Sequence, residues 1–303
     1  MQKKLAVIIV TYNSEQHIYD CLDSVFKYND IGEELEVIVV DNCSKDFQTL
    51  SQTINNKYGE KVTIVQNDKN GGYGQGNNVG IRQSHAPYIM IMNPDVRMVM
   101  PLFKEVIGEF EKNPNLAIYG IKQALAHHGA SITIAPMGNA YIETIASVIC
   151  NKFDWYFKKY MYFIGACFFL NKSLFEKIGM FDENLFMYGE EFDIHERIIR
   201  SKYDLKYNKH LHFFHLHNVQ VMKNAKKDIL TSSLYLCKKY GIDPKKRINR
   251  AIQQCNLLIM VNKVRSLLPS QRTIAKNNIP LLRIQRQQLI DKYQNKTNKS
   301  CLK

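Results

Sequence analysis

The run Ile89 to Val96, Ile-Met-Ile-Met-Asn-Pro-Asp-Val, is an apolar strand that stops at Asn93-Pro94-Asp95. A second strand-like run, Leu35 to Val40, stops at Asp41-Asn42. Ligands of open α/β sheets bind just beyond the carboxyl ends of the strands, so Asp41 and Asp95 are aimed at one crevice. A carboxylate there hydrogen-bonds a nucleoside or holds a divalent cation on a diphosphate. Each also has a structural reading: a strand-end turn with Asp46 capping the next helix, or the turn that Asn-Pro and Pro-Asp favour. A third acidic stretch, Phe-Met-Tyr-Gly-Glu-Glu-Phe-Asp at 186–193, sets Glu190 and Glu191 side by side at a predicted helix start. One of them can serve as a general base, although acids in a first turn also stabilise the helix dipole. On the same helix Asp193 with Arg197, and Glu196 with Arg200, are spaced as structural i,i+4 ion pairs. His212, His215 and His217 crowd a strand end, as ligands or as structural imidazoles.

A glycine-dense loop, Asn70-Gly-Gly-Tyr-Gly-Gln-Gly-Asn-Asn78, opens a helix. Glycines let backbone approach a ligand, and a helix N-terminus favours anions. The loop follows the third strand rather than the first and lacks a suitably spaced acid, so it does not read as a dinucleotide fingerprint. A purely structural turn is the other reading.

These residues need a scaffold, and the first hundred positions alternate strand and helix. Leu5 to Val10 is a continuous apolar run, as expected of a buried parallel strand. Ser14 is placed to cap a helix in which Ile18, Cys21, Leu22, Val25 and Phe26 recur at helical spacing. The strand ending at Asp41, a helix from Asp46, a strand Val62 to Gln66, a helix from Gly76 and a strand Tyr88 to Met92 follow. This series predicts an α/β fold, a largely parallel sheet with helices on both faces. Beyond Pro101 the expected elements are a helix Leu102 to Phe110, a strand Ile164 to Leu170, a short helix Ser173 to Ile178, a helix Glu190 to Arg200 and a strand Tyr207 to His215. Residues 123–160, with His127-His128 and an aromatic cluster from Phe153 to Tyr162, carry no clear period.

The chain has 303 residues, enough for one large core or a core plus an appendage. Its seven cysteines are odd in number and lack Cys-x-x-Cys spacing, which reads as buried or incidental thiols in a reducing compartment. No run reaches the ~18 apolar residues of a membrane span, and Met1 to Lys4 is polar. The expectation is a cytosolic protein, or one attached to a membrane from the cytosolic side. The net charge of +13 is uneven. Residues 1–222 carry 22 Lys+Arg against 25 Asp+Glu, whereas 223–303 carry 19 against 3. A boundary near Lys223 therefore divides residues 1–222 from a basic extension, 223–303.

The order of motifs along the chain is more specific than any one of them. Val-Ile-Ile-Val-Thr-Tyr-Asn comes first, then Val-Val-Asp-Asn-x-Ser-x-Asp and Asn-x-Gly-Tyr-Gly-x-Gly-Asn-Asn-x-Gly. Met-Asn-Pro-Asp-Val, Gly165-Ala166-Cys167 and Phe-Asp-Glu-Asn-Leu-Phe-Met-Tyr-x-Glu-Glu follow. Over residues 4 to 220 this set resembles a family-2 glycosyltransferase with the GT-A fold, close to the bacterial rhamnosyltransferase-like branch. The resemblance implies an inverting sugar transferase of surface polysaccharide synthesis, using dTDP-rhamnose or a UDP-sugar. Thr11, Tyr12, Asn13 and Asp41 would line the nucleoside pocket, and Gly72 and Asn77 would border the donor sugar and ribose. Asp95 matches the last carboxylate of the family's Asp-x-Asp metal site for Mg²⁺ or Mn²⁺, with Asn93 at the first position. His215 matches a histidine facing the diphosphate, and the residues after it, Leu-His-Asn-Val-Gln, depart from the usual small-residue pattern. Glu191 falls where the catalytic base stands; that base is usually Asp after Glu, so the role can shift to Glu190. The adjacent charge should raise the base's pKa while the helix start lowers it.

In the extension, Ile248, Ala251, Ile252, Cys255, Leu258, Ile259, Val264, Leu267 and Leu268 fall near one helical face, flanked by Asn249, Arg250, Lys263 and Arg265. Ile279 to Ile290 repeats the pattern, and the end from Asn295 reads as disordered. Basic amphipathic helices lie in membrane interfaces, which predicts peripheral docking on the inner face of a bacterial membrane beside a polyprenyl-linked or oligosaccharide acceptor. A helical cap on the first domain, or a homodimer contact, fits the same pattern. Nucleic-acid binding is the rival suggested by the charge, but the motif-bearing part is net acidic, so no nucleic-acid partner is expected. A sugar nucleotidyltransferase would open with a basic glycine-rich phosphate loop after the first strand, where Thr11-Tyr12-Asn13-Ser14 stand.

Overall fold

The computed structural model describes residues 2–125, 133–137, 141–216 and 226–300. The first strand sets the architecture. In β1 (Leu5–Thr11), Leu5, Val7 and Ile9 enter one hydrophobic cluster while Ala6 and Ile8 enter another, and all five are fully buried. Successive side chains of a strand point to opposite faces, so an unbroken apolar run demands cover on both sides. Helices α1 (Glu15–Lys27), α2 (Phe47–Tyr58) and α4 (Phe103–Lys112) cover the first face. The second is covered by α3 (Gly72–Gln83), α6 (Lys172–Lys177) and α7 (Glu190–Arg200), with Cys150 of α5 (Tyr141–Phe153).

β1 pairs in parallel with β2 (Leu35–Asp41) and β4 (Tyr88–Met92), and β2 with β3 (Thr63–Gln66). Next to β4, β9 (Cys167–Asn171) runs antiparallel and joins β6 (Leu116–Leu125). β10 (Asp204–His215) lies parallel to β6, and β5 (Val96–Met98) is the antiparallel edge. The eight-stranded order is β3-β2-β1-β4-β9-β6-β10-β5. β7 (Ile134–Pro136) and β8 (Met161–Phe163) form a separate ribbon. The mostly parallel α/β sheet is the expected one.

Several details differ. β5 and β6 were not expected. The β6 run is apolar without alternation and is interrupted by Gly120, where a Cβ would sit 2.7 Å from the Phe163 ring. The ninth strand begins at Cys167 rather than Ile164, because residues 164–166 turn to bond the site loops. α3 begins four residues early, at Gly72. Ser14 and Asp46 occupy N-cap positions without capping through their side chains, and Ser14 Oγ instead donates to Tyr12 O. Among the described cysteines, all six are free and only Cys43 is exposed. His127, His128, His217 and the boundary at Lys223 lie outside the described residues.

The C-terminal helices are α8 (Lys226–Tyr240), α9 (Pro244–Arg265) and α10 (Arg272–Ser300). Asp243 caps α9 by accepting from Lys245 N–H, with Pro244 in the first turn. Ile248 near the start of α9 and Leu289 near the end of α10 share one buried cluster, so the two form an antiparallel hairpin. Leu236 of α8 packs with Leu185 and Phe192 of the sheet domain. α10 stays helical to Ser300, past the point where disorder was expected.

Candidate active site

Thr11 and Asp41 end β1 and β2 directly opposite each other, nearly inaccessible to solvent. Asp41 Oδ2 accepts the Ser44 N–H at 2.8 Å, while Asp41 Oδ1 and Thr11 Oγ1 are buried without a protein partner. A buried polar atom left unpaired costs about 1–3 kcal/mol, so two of them at adjacent strand ends describe a seat for a hydrogen-bonding ligand. Asn13, at φ +49°, clasps the neighbouring loop: its N–H donates to Ser44 Oγ at 2.8 Å and its Oδ1 accepts from Lys45 N–H at 3.1 Å. Tyr12 stands beside them, 48% exposed.

The glycine loop is tied to this seat by amides. Asn42 Nδ2 donates to Gly72 O at 2.9 Å, and Asn67 Nδ2 donates to Asn42 Oδ1 at 2.6 Å and to Gln75 Oε1 at 2.9 Å. Gly72 has φ +88°, and a Cβ there would fall 2.0 Å from Phe186 O. No other residue fits that contact. Gly72 and Asn77 are both buried. Asn77 Nδ2 donates to Tyr73 O, and its Oδ1 has no partner.

Asn93 N–H donates to Ala166 O at 2.9 Å, joining the end of β4 to the loop before β9. Two residues on, Asp95 Oδ2 lies 3.2 Å from His215 Nε2, and His215 Nδ1 lies 3.2 Å from Gln123 Oε1. The ring thus stands between the Asp95 carboxylate and the Gln123 carboxamide. Among the described residues no group of three carboxylate, imidazole or thiol side chains converges on one point. Mg²⁺ commonly takes one or two carboxylates and fills its shell with water and substrate phosphates; Mn²⁺ shares the preference for oxygen, whereas imidazole is more typical of Zn²⁺ or Cu²⁺. Asp95 therefore fits a cation completed by a diphosphate, with His215 beside it. His212 is not part of this pair; it sits three residues away in β10, opposite Lys122.

The glutamate pair is set by a sharp turn, Tyr188 at φ +70° and Gly189 at φ +102°, which starts α7 at Glu190. Glu191 Oε1 accepts the Gly165 N–H at 3.0 Å, and Tyr73 Oη donates to Gly165 O at 2.6 Å. One glycine thus links the glycine-loop helix to the Glu191 carboxylate. A Cβ on Gly165 would sit 2.2 Å from Glu191 Oε1. Glu191 is half-buried and lines a cavity of about 410 Å³, whereas Glu190 is 2% exposed and its Oε1 is unpartnered. Burial raises the pKa of both. For Glu190 the charge of Glu191 adds to burial and takes it to about 8; for Glu191, N–H groups of its own backbone, Gly165 and Gly189 pull the other way. The two opposing effects anticipated from sequence are present, but desolvation, set by tertiary packing, exceeds both.

Sequence reasoning passed over Tyr73, Gly165 and Gln123 as site residues, and over the walls that the C-terminal helices add. Tyr73 and Gly165 stood inside quoted motifs; nothing in Gln123 or in α9 and α10 signals proximity to the site.

This sheet order and strand-end site are those of the GT-A fold. A mannosyltransferase of Pyrobaculum calidifontis, solved with GDP-Man and Mn²⁺, superposes with a TM-score of 0.63 at 13% identity, covering 94% of this chain and 86% of that one. Residues 6–179 match the model of Glycosyl transferase family 2, more than half of the chain, and the chain belongs to that family. Among relatives, the low-salt glycan biosynthesis hexosyltransferase Agl10 of Haloferax volcanii is 26% identical over 212 residues, 68% of this chain and 64% of that protein. The poly(ribitol-phosphate) beta-N-acetylglucosaminyltransferase TarS of Staphylococcus aureus is 37% identical over 94 residues, 30% of this chain and 16% of TarS. The chain spans less than two thirds of the length of either.

Proposed function

We propose that this chain is an inverting glycosyltransferase that moves a sugar from a nucleoside diphosphate to a hydroxyl of a glycan or lipid-linked acceptor. The observation that carries the reading is the bridge through Gly165, which ties the Glu191 carboxylate to the loop beside the unpartnered Asp41 oxygen. Asp41, Thr11, Tyr12 and Asn13 seat the nucleoside. The Gly72–Asn77 turn shapes the donor side, and Asn93 holds the loop between donor and base. Glu191, on the cavity wall, takes the acceptor's proton as its oxygen attacks the anomeric carbon. The bond to the diphosphate breaks on the opposite side, which inverts the centre. Glu190, closed from solvent, is assigned to holding its neighbour's environment rather than to proton transfer. Mg²⁺ or Mn²⁺ held by Asp95, with His215 beside it, would spread the charge of the leaving diphosphate.

The motif order favours dTDP-rhamnose, and UDP-sugars are the other donor class. Membrane docking through the basic helices, on the cytoplasmic face where a polyprenyl-linked acceptor lies, belongs to the same proposal.

The test is a panel of dTDP-rhamnose, UDP-glucose, UDP-galactose, UDP-N-acetylglucosamine and GDP-mannose with Mn²⁺ or Mg²⁺, scoring nucleoside diphosphate release. One donor should be turned over, Glu191→Gln should lower that rate by about 10²–10⁴-fold, and Asp95→Ala should weaken metal binding by calorimetry. Silence across the panel together with no calorimetric donor binding would overturn the reading.

A further inference from the structure

The cavity beside Glu191 is not built by the sheet domain alone. Tyr162 of β8, Tyr188 and Phe192 form one side, and the helical hairpin supplies the other with Gln254 of α9 and Gln285 and Gln288 of α10. We propose that this cavity seats a sugar unit of the acceptor, its ring on the aromatic side chains and its hydroxyls read by the α9 and α10 carboxamides. The proposal rests on the glycosyltransferase reading and adds the acceptor's chemistry to it.

The volume, about 410 Å³, is that of a small-molecule site. Its lining is mostly apolar, with Ile164, Leu234, Leu236, Ile248 and Leu289 beside the rings, and carboxamides are set into it; a sugar likewise has apolar and polar surface. The C–H faces of a pyranose are apolar and lie against aromatic rings, while its rim is hydroxyls that each donate and accept. A carboxamide donates and accepts from one group, which a lysine or a carboxylate does not. Tyr162 and Phe192 stand edge to face, centroids 6.1 Å apart, in that wall. Other occupants fit less well. A nucleotide needs cations, and the Arg247 guanidinium in the lining already lies 5.9 Å from the Phe192 centroid, with Nε donating to Ser233 Oγ at 3.3 Å. A lipid chain would match the aliphatic part of the lining but would offer nothing to the three amides. Glu191 shares the lining, so a hydroxyl of the seated sugar meets the group that removes its proton.

The consequence is that the hairpin selects the acceptor. Methyl glycosides of glucose, galactose, N-acetylglucosamine and rhamnose are the probes, read by saturation-transfer NMR on the full chain and as acceptors in the transfer assay. At least one should bind, with ring protons saturated. Gln254→Ala and Gln288→Ala, both substitutions on helices, should each raise its Kd and acceptor KM tenfold or more while calorimetric affinity for the nucleoside diphosphate shifts less than twofold. Glycoside binding unchanged in both variants would overturn the proposal, as would no glycoside binding in a protein that turns over donor. Absence of nucleoside diphosphate binding would instead sink the glycosyltransferase reading, and this inference with it.

Discussion

Glu190 is a carboxyl group 2% exposed, beside a second one, with no partner for Oε1. Burial first, and the Glu191 charge second, push its pKa from the ordinary 4.5 to about 8. Between those values the folded protein keeps a proton that the unfolded chain releases, so this residue's contribution to stability falls as pH rises. Glu190→Gln removes the titration. The variant and the parent should unfold at similar urea concentrations near pH 4, and the variant should become the more stable by up to about 4 kcal/mol at pH 8. Urea melts at a series of pH values check this, and a difference that stays constant across the range would mean that Glu190 is ionised in the folded state. At this scale much of the site was legible. Asp41, Asp95 and Glu191 each also had a structural reading, as a strand-end turn or a first-turn acid, and it was the order of motifs along the chain that singled them out. The Tyr73–Gly165–Glu191 bridge was hidden, since its hydrogen bonds join residues about ninety and twenty-six positions apart.

Between α7 and α8 lies a joint of buried charge. Asp193 has a fully buried side chain that accepts from Arg197 Nε at 2.9 Å and Tyr240 Oη at 2.6 Å and ion-pairs with Lys239 Nζ at 2.5 Å. Lys239 also reaches Asp182 Oδ2 at 2.6 Å, where Tyr235 Oη donates at 2.7 Å. Burial pulls the Asp182 pKa upward, yet Lys239, Tyr235 and Asn184 hold it well below the usual carboxylate value of 3.8. Lys239→Met keeps the length of the side chain and removes the cation shared by two carboxylates. It should cost about 3 kcal/mol at neutral pH, seen as a melting temperature several degrees lower and faster proteolysis within α8. Because a depressed carboxyl stabilises the fold above its unfolded pKa and loses that effect as pH falls through the folded value, the difference should shrink in acid. An unchanged melting temperature would show the joint to be dispensable. The spacing of Asp193 and Arg197 revealed their pair but not its neighbours on another helix. Elements followed the same rule. β1, β2 and β4 were readable because burial on both faces forces a continuous apolar run, and α7 because its acids and ion pairs are local. β6 carries Gly120 to admit Phe163, and that ring lies over forty residues away.

Among the described residues, charge and exposed apolar surface coincide at the turn of the C-terminal hairpin, as they also do around Phe153, Trp155 and Tyr160 with Lys152 and Lys159. The excess of Lys and Arg lies in residues 223–303, and among the described residues no helix is long and apolar enough to cross a membrane. The predicted apolar face of α9 is divided: Ile248, Cys255 and Ile259 are buried, whereas Val264, Leu267 and Leu268 are exposed. With Ile274 of α10 these form the elbow of the hairpin, and Leu267 is 74% exposed. Lys263, Arg265, Arg272 and Lys276 surround them, all exposed. Apolar side chains that enter the headgroup region, ringed by cations, are the two terms of interfacial binding, and each cation adds ~1 kcal/mol beside an anionic leaflet. The proposed docking therefore belongs to the elbow rather than to the whole extension. Flotation with phosphatidylglycerol vesicles should carry the protein upward, with binding that weakens as salt rises. Leu267→Glu with Leu268→Glu should reduce that binding at least tenfold while the melting temperature shifts little, because both side chains are exposed. Phosphatidylcholine vesicles should bind weakly in every case. Flotation equal in parent and double variant would remove the elbow from the membrane; if sedimentation then gave twice the mass of one chain for the parent and a single mass for the variant, the same apolar patch would be the seam between two copies.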